Sequence, residues 1–524
     1  MMKNKYICIS LLCLLLSACL SENPIGKMPE DKAYTSAKDI EQNLVATLYN
    51  YIGGATESEG LQGTPRGVYD WNSITTDEQL IPIRGGDWYD GGFWLRLHTH
   101  TWTPTELPLE NTWNYLYKVI TLCNKSLYNI EKNKNVLSDA EYTEYTSEVR
   151  AIRALFYFYT MDMFGNIPLV TDYHTTQNQI KQSNRNVVYQ FIVDELQSVL
   201  PYLANEHSNY KGKYYGRITR PVAEFLLAKL CLNAEVYSDD DWTDEKIPNG
   251  EKIYFTIDGE KKNAWEATIA YCEKIKKTGY VLDEYAKNFC IHNEESKENI
   301  FVIPMDKMLY SNTFSYLFRS RHYAHGSALG LDAENGTCAT VSTIKAYGYG
   351  TDSVDPRFQL NFFADTVKVN GNIVKLSNGK PLVYYPLEVA DNMTGSLYEK
   401  TGGARMSKYE TDPMAYDNGH LQDNDIVLFR YADVLLMEAE AKTRNGMDGK
   451  EELAAVEKRV GATSLFANLD NILKERLLEL MWEGWRRNDL IRFGKFDEDK
   501  HLMVFPIPSI CRDLNHNLDQ NPGY

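Results

Sequence analysis

Long amphipathic segments recur along the chain, and this pattern constrains its fold more than any other feature. A capping box at Ser138–Glu141 opens one such segment, whose apolar residues recur at helical spacing until Gly165 interrupts the run. Five further segments share this design: NVVYQFIVDELQSVL, PVAEFLLAKLCLNAEVY, AWEATIAYCEKIKKTG, IVLFRYADVLLMEAEAKTRNG and ILKERLLELMWEGWRRNDLIRFG. The sequence therefore predicts a mainly α fold.

Small residues on these segments, among them Ala223, Ala228 and Ala234, favour closely packed antiparallel helix pairs of tetratricopeptide (TPR) type. Between residues 300 and 420 the helical periodicity fades, and VKVNGNIVKL predicts a hairpin that turns at Asn370-Gly371. We therefore expect helical regions at 31–299 and 421–524, separated by a loop-rich excursion at 300–420 with a short hairpin.

The amino terminus predicts export. Lys3 and Lys5 precede an apolar run that is too short for a membrane span of about 20 residues, which is typical of a secretory signal. LSAC at residues 16–19 resembles a bacterial lipobox, and this resemblance implies cleavage before Cys19 and acylation of that cysteine. We assign residues 1–18 to a signal peptide and 19–30 to a lipidated tether; the alternative is an ordinary signal with an incidental cysteine.

Composition excludes several classes of function. The chain has 55 basic and 72 acidic residues and a net charge of -17, with no basic stripe, so nucleic acid is not an expected partner. Nucleophile-elbow, Walker, HExxH and dinucleotide motifs are missing, and we expect no cofactor and no metal. The widely spaced Cys123, Cys231 and Cys272 lie in helical patterns and are interpreted as buried free thiols; the pair His98 and His100 is interpreted as structural.

The stretch RGGDWYDGGFWLRLHTHTW, residues 84–102, combines three tryptophans with two glycine pairs. Tryptophan is usually buried, whereas glycine pairs beside aspartates mark exposed turns. The stretch is either a buried plug or an exposed aromatic surface. A glycosidase pair of Asp87 and Asp90 is disfavoured, because such carboxylates usually come from separate elements.

Five ordered motifs are similar to those of the SusD/RagB family of outer-membrane lipoproteins. They are EVRAIRALFYFYTMDMFGNIPLV, GRITRPVAEFLLAKLCLNAEVY, LFRYADVLLMEAEA, ERLLELMWEGWRRNDLIRFGKF and FPIPSICRDLNHNLDQNPGY, and they span nearly the whole mature length. Their charged residues are interpreted as pairs that fix one helix against the next: Arg150, Arg153, Arg430, Glu483 and Asp489.

The resemblance implies a SusD-like, TPR-containing helical platform without catalysis. It also implies that the protein captures a glycan at the cell surface, held to the outer membrane by its lipid anchor, and acts with a SusC-like TonB-dependent transporter. Two alternatives are peptide capture by a RagB-like protein and a secreted carbohydrate-active enzyme.

Sugars present flat C–H faces and hydroxyl rims, which aromatic rings and short polar groups recognise. By its position in the family, the first ligand segment corresponds to residues 84–94, with Trp88 as a mostly exposed stacking surface, Arg84 and Asp87 as hydroxyl partners, and Trp94 as a further contact. The second ligand segment falls in RHYAHGSALGLDAENGT. Its candidates are Tyr323, His325 and Asn335, for each of which a structural role is an equal alternative.

Overall fold

A computed structural model describes residues 33–244 and 246–524 of the chain. The predicted signal peptide, Cys19 and the tether lie outside the described residues. Within them, no helix combines the length and the apolar character needed to cross a membrane.

Eight helices of ten or more residues form the body of the described chain. In order they are α1 (Leu107–Lys132), α2 (Asp139–Phe164), α3 (Arg185–Val199), α4 (Arg220–Leu232), α5 (Ala264–Lys276), α6 (Tyr431–Arg444), α7 (Lys450–Arg459) and α8 (Leu469–Leu480). The predicted capping box begins α2, where the Ser138 hydroxyl accepts from the Glu141 amide and the Glu141 carboxylate accepts from the Ser138 amide.

Helices that follow one another along the chain also pack together. α1 packs against α2, α2 against α3, and α3 against α4; α4 and α5 then pack together, and α6 joins α5 and contacts α7 and α8. This succession of helix pairs buries a large apolar core, and α6, α7 and α8 enclose a second, smaller apolar cluster. The mainly α fold is confirmed.

The remaining elements are short. Short helices occupy Ala37–Ile40, Glu41–Ala46 (a π-helix), Thr47–Tyr49, Val68–Ser73, Phe93–His98, Ala234–Tyr237, Tyr316–Ser320, Tyr323–Leu329, Val341–Ala346, Phe358–Asn361, Arg486–Arg492 and Ser509–Leu514. Turns of 3-10 helix occupy Asp90–Gly92, Lys134–Val136, Gln177–Gln179, Leu200–Tyr202, Gly250–Lys252, Tyr285–Asn288, Asn293–Glu295, Asp417–Gly419 and Lys500–Met503.

The strands form two-stranded antiparallel sheets. The pairs are Gln79–Leu80 with Cys338–Ala339, Ile167–Pro168 with Gln182–Ser183, Tyr254–Ile257 with Glu260–Asn263, Asn299–Ile303 with Ile426–Arg430, Phe362–Phe363 with Arg405–Met406, Asp365–Thr366 with Val383–Tyr384, and Lys368–Val369 with Asn372–Ile373. The last pair is the predicted hairpin. Its turn residues Asn370 (φ 49°) and Gly371 (φ 80°) both have the positive φ of a type I′ turn.

Three predicted helices differ from the structure. The segment PVAEFLLAKLCLNAEVY forms two helices, Arg220–Leu232 and Ala234–Tyr237, because Asn233 leaves helical geometry. Ile426–Arg430, predicted as the start of a helix, is a strand buried along its whole length against Asn299–Ile303, and the helix begins only at Tyr431. The predicted helix over residues 472–494 is broken after Leu480, where Trp482 (φ 69°) and Gly484 (φ 78°) leave helical geometry.

The charged residues of the motifs form pairs between elements, as predicted, but not all of them lie on helices: Arg430 ends the strand Ile426–Arg430, and Glu483 lies in the turn after α8. Arg150 and Arg153 of α2 both contact Glu195 of α3, each at 2.6 Å. The buried Arg430 contacts Glu479 at 2.5 Å and Glu483 at 2.7 Å. A further buried pair joins Asp489 to Arg476 at 2.8 Å. Because each buried charge has a partner, these residues act in the scaffold.

Candidate ligand-binding site

A cavity of about 730 Å³ lies where loops and short helices from residues 55–66, 86–94, 313–334 and 420 meet. It brings together four of the predicted ligand residues: Asp87, Trp88 and Trp94 from the first ligand segment, and Tyr323 from the second. Its other lining residues are Ala55, Thr56, Glu57, Pro65, Arg66, Gly86, Asp90, Thr313, Ser315, Phe318, Arg319, Ala333, Glu334 and His420.

A short sheet holds the two ligand segments together. Gln79 and Leu80 precede the first segment and pair with Ala339 and Cys338, which follow the second. Two parts of the chain more than 200 residues apart are therefore fixed on either side of one cavity.

The glycine pairs shape the first ligand segment. The backbone amide and carbonyl of Arg84 and Asp87 pair across a tight turn in which Gly85 has a φ of 71°. Gly91 and Gly92, with φ of 62° and 84°, form the turn before helix Phe93–His98. Glycine adopts this left-handed geometry without the strain that a side chain imposes.

Trp88 is partly buried, so the prediction of a mostly exposed indole is wrong. Its indole N–H donates to the backbone carbonyl of Glu334 at 2.8 Å. Its ring lies so close to Gly336 that a Cβ added there would be 2.6 Å from ring atoms. The ring is fixed against the second ligand segment, and its remaining accessible surface lines the cavity.

Tyr323 and Asp87 contact each other at the cavity. The Tyr323 hydroxyl donates to Asp87 Oδ2 at 2.8 Å, and Lys400 Nζ donates to the same oxygen at 2.7 Å. Hydrogen bonds from Lys400 and Tyr323 lower the pKa of Asp87, whereas burial and Asp87 raise the pKa of Tyr323 to about 12. At neutral pH the site therefore presents an ionised carboxylate and a neutral tyrosine, whose ring stays 44% exposed.

Trp94 forms the floor of the cavity. Only 1% of it is exposed, and its indole N–H donates to Asp90 Oδ2 at 2.7 Å. The guanidinium groups of Arg66 and Arg319 lie 5.3 and 5.6 Å from the centre of its ring. Trp94 therefore supports the cavity and offers little surface to a ligand.

Arg84, predicted as a hydroxyl partner, lies outside the cavity and is fully buried. Its guanidinium donates to the carbonyls of Glu399 (3.0 Å) and Gly402 (2.9 Å) and so anchors the first ligand segment to residues 399–402. A ligand in the cavity cannot touch it, and this corrects the predicted role.

His325 and Asn335 are also buried and do not line the cavity. His325 Nδ1 lies 3.2 Å from the Tyr384 hydroxyl, and burial lowers the pKa of His325 to about 3. Asn335 has a left-handed backbone with φ of 57°. Because both residues are buried away from the cavity, a structural role suits them better than contact with a ligand.

Sequence reasoning did not select Glu57, Arg66, Arg319, Glu334 or His420, which also line the cavity. The first two come from a glycine-rich loop without a recognisable motif. Arg319 would have been identified only by knowing that its buried partner is Asp70, 249 residues away.

The histidine pair is structural, as interpreted. His98 Nδ1 lies 3.2 Å from the Ile74 carbonyl, and His100 Nδ1 lies 2.6 Å from Asp497 Oδ2. Across residues 33–244 and 246–524, no group of three or more histidine, cysteine, aspartate or glutamate side chains is placed to hold a metal ion.

Family models identify the class of protein. A model described as "Starch-binding associating with outer membrane" matches residues 82–289, and the SusD family model matches residues 348–503. The chain belongs to the SusD family, as its motifs predicted.

Individual relatives span nearly the whole chain. The starch-binding protein SusD of Bacteroides thetaiotaomicron is 23% identical over 584 aligned residues that cover 100% of both chains. A SusD-like protein of Bacteroides ovatus is 24% identical, covering 96% of this chain and 85% of that one.

Solved structures share the fold. A laminarin-binding SusD-like protein superposes with a TM-score of 0.70 at 21% identity, covering 94% of this chain and 100% of that one. Surface glycan-binding protein A of Bacteroides thetaiotaomicron, in complex with laminarihexaose, gives a TM-score of 0.70 at 20% identity, with 93% and 100% covered.

Proposed function

We propose that the protein is a non-enzymatic glycan-binding protein and that its ligand occupies the cavity between the two ligand segments. The observation that carries this proposal is that Trp88 and Tyr323 line the same cavity beside the ionised Asp87. Aromatic rings stack on the C–H faces of sugars, and a carboxylate accepts hydrogen bonds from their hydroxyls. Relatives whose names describe starch or laminarin binding support the same class of ligand.

The two aspartates of the site support binding without catalysis. Asp90 accepts from both Arg66 and the Trp94 indole, and Asp87 accepts from Lys400 and Tyr323. Hydrogen bonds from Lys400 and Tyr323 lower the pKa of Asp87, so Asp87 does not fit the general acid of a glycosidase. Burial raises the pKa of Glu334, and the assay for new reducing ends described below tests whether that carboxyl acts as an acid.

We further propose that the protein passes its glycan to a SusC-like TonB-dependent transporter while anchored to the outer membrane through Cys19. Membership of the SusD family and the lipobox-like LSAC sequence support this placement. The family model described as associating with the outer membrane is consistent with it.

Peptide capture is the weaker alternative. Peptides commonly bind by adding a strand to an exposed sheet edge. None of the residues that line the cavity belongs to a strand of the described chain. The cavity therefore lacks the backbone edge that this mode requires.

The test is a panel of polysaccharides incubated with the protein, followed by affinity electrophoresis and an assay for new reducing ends. We expect retarded migration on at least one polysaccharide without new reducing ends. Tyr323→Ala should weaken that binding roughly tenfold, because it removes an exposed ring of the cavity. The matched control is Tyr202→Ala, which removes a 56% exposed ring outside the cavity and should bind like wild type.

Two results would contradict the proposal. New reducing ends would show that the protein is an enzyme. Equal affinities for Tyr323→Ala and Tyr202→Ala would show that the cavity is not the binding site.

A further inference from the structure

The cations that line the cavity are already paired with carboxylates. Arg66 contacts Glu57 at 2.7 Å through one guanidinium nitrogen and Asp90 at 2.6 Å through the other. Both terminal nitrogens of Arg319 donate to the two oxygens of Asp70, each at 2.7 Å, and this pair is buried.

The two other basic groups nearby are also engaged. Lys400, beside the cavity, donates to Asp87 at 2.7 Å. The imidazole Nδ1 of His420 lies 3.3 Å from Asp417. Among the described residues of this site, every arginine and lysine already has a carboxylate partner.

Carboxylates, in contrast, are accessible at the rim. The side chains of Glu57 and Asp87 are 44% and 40% exposed. Glu334 also lines the cavity and has no ion-pair partner among the described residues, but burial raises its pKa, so the negative charge at the rim comes chiefly from Glu57 and Asp87. A carboxylate or sulfate on a ligand would therefore meet negative charge.

Proteins that bind carboxylate or sulfate groups usually offer them arginine or lysine donors with free hydrogen-bonding positions. Opposing like charges at an interface weaken binding and exclude wrong partners. We infer that the cavity selects uncharged glycans and rejects glycans that carry uronate or sulfate groups. This inference rests on the proposed glycan-binding function and adds to it the charge class of the ligand.

The test begins with a panel of uncharged polysaccharides and of polysaccharides rich in uronate or sulfate. Each uncharged polymer is also supplied as its carboxymethyl derivative and as its hydroxyethyl derivative, which carries an uncharged substituent. We expect binding among the uncharged polymers, and about tenfold weaker binding of the carboxymethyl form than of the hydroxyethyl form. The difference between the two derivatives should shrink in high salt, because salt screens charge and leaves steric effects unchanged.

A matched pair of variants tests the mechanism. Glu57→Gln removes one carboxylate that neutralises Arg66, so the affinity for the carboxymethyl form relative to the hydroxyethyl form should rise roughly threefold or more. Glu260→Gln makes the same change in a surface ion pair with Lys262 outside the cavity and should leave the ratio unchanged.

Each outcome decides between the two proposals. Tighter binding of an acidic polysaccharide than of uncharged ones would overturn the charge selectivity and leave glycan binding intact. Equal affinity for both derivatives would also overturn it. Failure to bind any polymer of the panel would overturn the proposed function together with the inference.

Discussion

Truncating Trp88 tests the geometry of the site most directly. Trp88→Ala removes the hydrogen bond to the Glu334 carbonyl, the contact with the Trp94 ring at a centroid distance of 6.0 Å, and the packing against Gly336. Removal of a fully buried tryptophan typically costs about 3–5 kcal/mol. Because Trp88 is only partly buried, we expect a loss of about 2 kcal/mol in the free energy of unfolding.

The backbone conformation at Trp88 predicts a second difference in the free energy of unfolding, between the alanine and glycine variants. Its φ of 63° is left-handed, which is unfavourable for any residue with a Cβ. Trp88→Ala retains this strain, whereas Trp88→Gly relieves it. Although glycine gains more freedom in the unfolded chain, we expect Trp88→Gly to be more stable than Trp88→Ala by roughly 1 kcal/mol.

The measurements are denaturant unfolding for stability and isothermal titration with a bound polysaccharide for affinity. Both variants should lose roughly tenfold or more in affinity, because each lacks the ring. Tyr89→Ala is the control, since Tyr89 is the adjacent residue, is 59% exposed and does not line the cavity. Its stability should stay within about 0.5 kcal/mol of wild type.

Wild-type stability for Trp88→Ala, with no advantage for Trp88→Gly, would refute the described geometry of Trp88. Reduced stability with unchanged affinity would mean that Trp88 is only a plug between the two ligand segments.

Two further predictions concern pH and the membrane. Burial raises the pKa of Glu78 from 4.5 to about 8, so its contribution to stability is complete below about pH 4.5 and is lost as the pH rises through about 8. Glu78→Gln keeps an acceptor for the Trp482 amide but cannot ionise, so its melting temperature relative to that of wild type should be higher at about pH 9 than at about pH 5. A difference between variant and wild type that does not change with pH would contradict this. Cys19→Ala should release the protein from membranes in fractionation, because Cys19 is the predicted acylation site; a variant that still pellets in high salt without its transporter would contradict the lipid anchor.

Periodicity predicted much of the fold, but it could not separate a buried strand from a buried helix. The run Ile426–Arg430 is apolar apart from its last residue, and such a short run suits either element. Its partner, Asn299–Ile303, is more than 120 residues away, so the pairing leaves no local signal. The prediction also missed α1 (Leu107–Lys132), whose buried face includes polar Thr112 and Asn124 and thus weakens the apolar pattern.

The candidate site was predictable in position but not residue by residue. Both predicted ligand segments contribute residues to the cavity, yet Arg84 and Asp87, two polar residues of the same turn, have different surroundings. Arg84 donates to buried carbonyls, while the side chain of Asp87 is 40% exposed at the rim. An arginine that binds backbone carbonyls uses the same donors as one that binds sugar hydroxyls. The role of Arg84 is decided by the acceptors that the fold brings near it, which come from residues 399–402. Those residues lie more than 300 positions away in the sequence, so no local pattern reveals them.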